Sequence, residues 1–190
     1  AGSAGGKVSL SRSSAAVPGS ISVLNSILAS GGAGGTTAAF PGGAGGSVTI
    51  YGSTTVLGPG RAVYGDVQVS GDIIARGGNG GTTTVVGSNG GQGGVGGTIE
   101  LFASNKLTVG GSATNVLDAG GGDGGAGGPG GLNVQGAPTP GGAGGGGGPG
   151  GTIRLHGGEE VLNPANRLAL LTMTGGQVTG ISTVENFDHE

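Results

Sequence analysis

Four short stretches alternate apolar and polar residues with a period of two, and each is introduced by a pair of glycines. They are GGKVSL (5–10), GGSVTI (45–50), GGTIEL (96–101) and GGTIRL (150–155). Val8/Leu10, Val48/Ile50, Ile99/Leu101 and Ile153/Leu155 recur at every second position, which predicts strands with one buried and one exposed face. A second set of apolar alternations follows each of these. SISVLNSILASGG (20–32), DVQVSGDIIARGG (66–78) and KLTVGGSATNVLDAGG (106–121) align, the third with one short insertion, and LLTMTGGQVTGI (170–181) reads as a fourth copy. Its inward positions are then Ile21, Val67, Leu107 and Leu171, followed by Val23, Val69, Val109 and Met173. Self-similarity at this spacing is the mark of a repeat-built architecture.

Between the strand sets lie glycine tracts in outgoing and returning pairs. GGAGG (31–35) leads to TTAAFP and returns through GGAGG (42–46). GGNGG (77–81) leads to TTTVVGSN and returns through GGQGGVGG (90–97). GGGDGGAGGPGG (120–131) leads to LNVQGAPTP and returns through GGAGGGGGPGG (141–151). The tracts keep a GGx triplet, with Ala33, Asn79, Gln92, Val95, Asp123, Ala126 and Pro129 at x. Three residues per turn is the period of the polyproline-II helix. It places every x on one edge and leaves the other two edges bare, so neighbouring backbones can approach and exchange N–H and C=O bonds. The tracts are therefore expected to be ordered polyglycine-II arms that run out, turn and run back, where a flexible linker would have no reason to hold triplet phase.

The fold expected is all-β: a short β-solenoid-like or β-sandwich body of repeated strands with paired arms and no substantial helix. It forms one repeat-built domain over 1–190, with arms at 31–46, 77–97 and 120–151 and a C-terminal strand and tail at 168–190. Composition agrees with a thin aliphatic core. Of 190 residues 54 are glycine, several times the usual ~7%, with no cysteine, no tryptophan and five Tyr and Phe in total. The net charge of −3 gives no electrostatic reason to expect nucleic acid, and no apolar run reaches the ~18 residues of a membrane span. Because the chain opens on Ala1, it fits a mature form from which a secretory leader has been removed, at an extracellular or cell-surface location.

Chemical motifs are sparse. Strings resembling GxGxxG occur, but none opens a helix in a βαβ unit. GGKV (5–8) lacks the Ser/Thr that a P-loop places after its lysine, and Asp123 in GGGDGG has neither the spacing nor the large apolar residue of a calcium-binding glycine repeat. Glycoside hydrolysis needs two carboxylates across one bond, whereas Asp66, Asp72, Glu100 and Asp118 are scattered singly. His156, Glu159 and Glu160 form the one compact polar cluster, weighed as a weak metal or acid–base site and read as a solvated turn. No catalytic residue, metal site or cofactor is assigned, and an enzyme is not expected.

GGTIEL with KLTV, and GGTIRL with LLTM, resemble the glycine-rich β-solenoid repeats of bacterial surface and secreted proteins. The paired GGx arms are similar to the polyglycine-II sandwich at the tips of some bacteriophage long tail fibres, where tip loops touch the host receptor, and to glycine-rich antifreeze proteins of snow fleas. Phe40 is the one aromatic residue among the arm tips, a departure from the receptor-binding pattern.

The returning-arm phase at residues 1–6 and the strand-like QVTGI (177–181) suggest a repeat open at both ends, or a module cut from a longer protein. Heterologous contacts between such ends build open filaments. The leading expectation is a non-enzymatic structural subunit of an extracellular filament or matrix, self-associating through Val178, Ile181, Val184, Phe187, Val8 and Leu10. The alternative is an adhesin or tail-fibre tip that touches a cell-surface glycan or protein receptor through Thr36, Thr37, Phe40, Thr83, Val85, Leu132 and Val134. An ice-binding protein is a third class, for which Thr82–Thr84 beside Thr36 and Thr37 supply a fragment of the threonine face required.

Overall fold

A computed structural model describes residues 1–13, 20–36, 39–56, 62–63, 65–103, 106–110, 116–156, 159–162 and 171–172. Among them there is no helix, and the strands assemble mainly into parallel sheets. The GG-led strands β1 (Lys7–Ser13), β4 (Ser47–Val56), β8 (Thr98–Phe102) and β13 (Thr152–His156) form one sheet in the order of the copies. Val8, Val48, Ile99 and Ile153 share one register position, and Leu10, Ile50, Leu101 and Leu155 another. An antiparallel strand, β5 (Ala62–Val63), returns along the end of β4.

The bent unit that follows each GG-led strand splits between two further sheets. One contains β2 (Ile21–Val23), β6 (Val67–Val69), β9 (Lys106–Val109) and β14 (Glu159–Leu162). The other contains β3 (Ile27–Leu28), β7 (Ile73–Ile74), β10 (Leu117–Asp118) and β15 (Leu171–Thr172). In all three sheets copies one to four lie side by side in chain order, and every pairing between copies is parallel. The fourth copy corrects the sequence alignment. Leu171 lies opposite Leu117 in the third sheet, not opposite Leu107, whose partner is Glu160. The strand EEVL thus holds the place of KLTV. The register shifts by one residue between the two sheets, since His156 faces Phe102 but Glu159 faces Lys106, and the shorter connection sets Glu160 at a position where hydrophobic alternation would look for an apolar residue. Met173 lies outside the described residues.

The inward rows are aliphatic and pack like on like. Val48, Ile50, Val67, Val69, Ile73, Ile99, Leu101, Leu107 and Ile153 have no exposed surface. Each fully buried Val, Leu or Ile contributes roughly 1.5–3 kcal/mol, so a few rows hold the body together without aromatic residues. On the outer face, Tyr51 stacks on Phe102 at 4.8 Å and Arg154 pairs with Glu100 at 2.7 Å, each across adjacent copies in register. Ala29, Ala75 and Ala119 close each arm at its base. Their carbonyls accept the N–H groups of Gly46, Gly97 and Gly151 at 2.6, 2.7 and 2.7 Å, joining the start of each outgoing tract to the end of its returning tract.

Beyond that base the arms bond to one another in two directions. The second glycine of a triplet donates between outgoing and returning arms in a zigzag through the copies: Gly32 to Ser3, Gly43 to Gly32, Gly78 to Gly43, Gly94 to Gly78, Gly122 to Gly94 and Gly148 to Gly122, all at 2.7–2.9 Å. The first glycine donates to the x carbonyl of the next arm running the same way, as Gly34 does to Asn79, Gly80 to Asp123 and Gly93 to Gly146. All seven x residues named from the sequence are exposed. One of them, Asn79, accepts the N–H of Asp123 on the next copy through Oδ1, and Asn89, one triplet before Gln92, accepts that of Ala143 in the same way, both at 3.0 Å.

In the interior of the layer, where an arm lies on either side, a triplet glycine has no room for a side chain. A Cβ on Gly94 would lie 2.0 Å from the Gly43 carbonyl oxygen, and one on Gly93 would lie 1.9 Å from that of Gly122. The hydrogens occupying those places point at the carbonyls, as in a Cα–H···O contact.

Gly94→Ala is therefore expected to lose at least ~2 kcal/mol, the scale of forced overpacking. Gln92→Ser, on the exposed edge, is expected to stay within ~0.5 kcal/mol of the parent. Urea unfolding of the two variants checks both.

Candidate functional site

The three arms end at different distances from the body, and their turns are built differently. At the second tip Gly87 adopts a positive φ of 69°, which a side chain would disfavour. The Ser88 N–H closes that turn on the Val85 carbonyl at 3.1 Å. At the third tip β11 (Gly131–Leu132) pairs antiparallel with β12 (Pro138–Thr139), and Gly136 turns with φ 77°. Asn133 organises this loop. Its Oδ1 accepts the N–H groups of Gln135 at 3.0 Å and Ala137 at 2.8 Å, an Asx-type arrangement.

Apolar residues sit outward on these turns. Phe40 is 47% exposed, Val85 52%, Leu132 71% and Val134 96%. An isolated exposed apolar side chain is ordinary, but a set gathered on the ends of successive arms fits a contact surface. Thr36 is exposed on the first turn, and Thr37 lies outside the described residues. Thr83 is placed differently from the sequence expectation. It is 5% exposed, its Oγ1 accepts the Val85 N–H at 3.1 Å, and its own N–H donates to Ala126 of the next arm. Its hydroxyl is used in shaping the turn, and burial sets Thr83 apart from the exposed tip residues. Val86, not singled out in the sequence, is 54% exposed and lies against Gly131 of the third arm. Its position next to Val85 in a run of TTTVV carried no periodic signal.

The second surface is the first-copy end of the body. Val8, Ile21 and Ile27 are half-buried and Leu10 is 37% exposed, although their counterparts Val48, Ile50, Val67 and Ile73 are fully covered. Leu24 and Leu28 add exposures of 71% and 69% on the same copy. Val178, Ile181, Val184 and Phe187 fall outside the described residues.

The acidic residues have structural partners. Asp66 accepts the Lys106 N–H at 3.2 Å and Asp72 the Val116 N–H at 3.0 Å, each tying one copy to the next. Asp118, 9% exposed, accepts the Gly120 N–H at 2.7 Å, and Asp123 pairs with Arg76 at 3.4 Å. His156 ends β13 while Glu159 and Glu160 open β14, so the backbone assigns the polar cluster to two different sheets. Among the described residues no group of three or more His, Cys, Asp or Glu is placed to hold a metal ion, and no helix is long and apolar enough to cross a membrane. Searches against protein-family models, curated proteins and solved structures each found no match.

Asn133→Ala is expected to leave the body intact but loosen the third tip, since two backbone N–H groups lose their acceptor. Hydrogen exchange at Gln135 and Ala137 should accelerate by about tenfold, one bond's worth of ~1.4 kcal/mol, with no change at Gly94 or Gly122.

Proposed function

We propose that the chain is a non-enzymatic structural subunit. Its body is read as a short β-solenoid carrying polyglycine-II arms, which stacks head to tail with further copies into a filament or matrix outside the cell. The observation that carries this reading is the uncovered first-copy end. The rows that are sealed in copies two and three run on to Val8, Leu10, Ile21 and Ile27, over which no polar layer lies among the described residues. The outer edge of β1 is also a row of backbone groups suited to strand addition. A contact between unlike ends repeats without closing and so yields an open polymer. On this reading Val178, Ile181, Val184 and Phe187 belong to the segment that meets the next subunit.

The exposed apolar tips favour a second reading, an adhesin whose arm ends touch a receptor on another surface. Phe40, Val85, Leu132 and Val134 are the residues it assigns to contact, with a glycan or a protein as partner. An ice-binding role has less support, because the burial of Thr83 breaks the threonine fragment on which it rested.

Light scattering and negative-stain electron microscopy across a concentration series test the first reading. Fibres with a constant subunit rise are expected, and Leu10→Lys should raise the concentration needed for assembly by at least tenfold. Monomers or closed rings at every concentration would sink it. For the adhesin reading, Leu132→Asp with Val134→Asp should abolish cell binding while leaving assembly unchanged. Binding retained by that double variant counts against a role for the third tip.

A further inference from the structure

The hydrogen-bonded glycine layer has two edges whose complementary groups have no partner among the described residues. Among the returning arms one column of bonds runs from Gly5 to the Ala44 carbonyl, from Gly45 to Val95 and from Gly96 to Pro149, each at 2.8 Å. The next donor in this column is the N–H of Gly150, and among the described residues no acceptor meets it. At the opposite edge the acceptor that would begin the column is the Ala4 carbonyl, to which no described N–H donates. One edge ends in a donor and the other in an acceptor, in the same column and with the same chain direction.

Among the described residues nothing requires a glycine at position 150. A Cβ on Gly5, Gly45 or Gly96 would lie 2.1, 2.0 or 1.9 Å from a carbonyl oxygen, and 2.5, 2.5 or 2.4 Å from the backbone nitrogen of Gly46, Gly97 or Gly151 on the following arm. A Cβ on Gly150 would meet nothing within 4 Å. Its φ is not in the left-handed region, so a side chain there would be unstrained, and replacing such a glycine ordinarily favours folding. Gly6 on the opposite edge is likewise open, with nothing within 4 Å of its Cβ position. Both glycines are what the column would require if another arm lay alongside.

Resting on the head-to-tail reading above, we infer that the open edge at Gly150 docks the first arm, Ala1–Gly6, of a second copy of this chain. The Gly150 N–H donates to the Ala4 carbonyl of that copy, and its Gly6 takes the place that Gly151 holds beside Gly96. The contact is confined to the base of the arms by Ser3. Interior residues equivalent to Ser3 are Gly43, Gly94 and Gly148, whose Cβ would lie 1.8, 2.0 and 1.9 Å from the carbonyl oxygens of Ser3, Gly43 and Gly94. The Ser3 side chain therefore blocks the neighbouring column, in which the N–H of Gly147 would otherwise reach the Ala1 carbonyl.

Three variants of the full chain, compared with the parent by sedimentation velocity over a concentration series, test this docking. Gly150→Ala should keep the parent's melting temperature or exceed it, yet raise the concentration for half-assembly by at least tenfold. Ser3→Gly should lower that concentration, by freeing the second column. Pro149→Ala, on the outward edge, should change neither. The Gly150 amide should also exchange at least tenfold more slowly in assembled protein than in monomer. If the parent assembles while Gly150→Ala assembles equally well and Ser3→Gly has no effect, the docking is overturned and head-to-tail assembly through the body stands. A parent that stays monomeric throughout overturns both.

Discussion

Everything beyond the body depends on backbones meeting backbones with nothing between them. An extended three-fold arm buries almost no apolar surface, so the hydrophobic effect that seals the Val, Ile and Leu rows cannot order it. The N–H and C=O groups must be satisfied by neighbouring arms, and those arms must come closer than any Cβ permits. Glycine at two of every three positions is the condition for that approach. It is also the residue that loses most freedom on ordering, at ~1–2 kcal/mol for each backbone fixed. A net ~0.5–1.5 kcal/mol for each hydrogen bond offsets this only where nearly every glycine N–H is engaged. One arm alone would be a linker, and the arms are ordered because there are several.

Body and arms impose one spacing on each other. Parallel strands repeat at ~4.8 Å across a sheet, and the bonds that close each arm on Ala29, Ala75 and Ala119 transmit that repeat outward. The arms in turn staple the copies through bonds that do not involve the core. Asp66 and Asp72 strengthen the same junctions from within the body by capping N–H groups one copy along. Long-range pairing of this kind has a high loop-closure cost, and the strict in-register repetition is what makes each added copy fit the last.

Much of this plan was legible in the chain. The GG-led strands and the outward x edge follow from periods of two and three read directly from residues such as Val48/Ile50 and Asn79/Gln92. The fourth copy was not legible. EEVL offers only one clear apolar pair, and the connection into it is one residue shorter than the one before KLTV, so extending the register of the preceding strand would have set Val161 rather than Glu160 opposite Leu107. The roles of Ala29, Ala75 and Ala119 escaped for a related reason. An alanine before a glycine tract looks like spacer, and only the returning tract, some twenty or thirty residues later, reveals the bond it accepts. Thr83 was misplaced because a threonine in a polar tip reads as exposed unless its hydroxyl is known to close the turn. Of the candidate surfaces, Phe40, Leu132 and Val134 could be found as apolar residues at turns, whereas the open donor at Gly150 is invisible without the lattice around it.

The second and third arms also carry an unusual chemical silence. From Gly77 to Gly97 and from Gly120 to Gly151 there is no lysine, arginine or aromatic residue. Endoproteases that select a basic or aromatic side chain find none to grip along these projections, and the extended backbone they would need to bind is already engaged with its neighbours. For a protein proposed to work outside the cell, the most protruding parts are thus the parts that digestion reads least well. Proteolytic nicking would fall instead on the body, where Arg76, Lys106 and Arg154 lie.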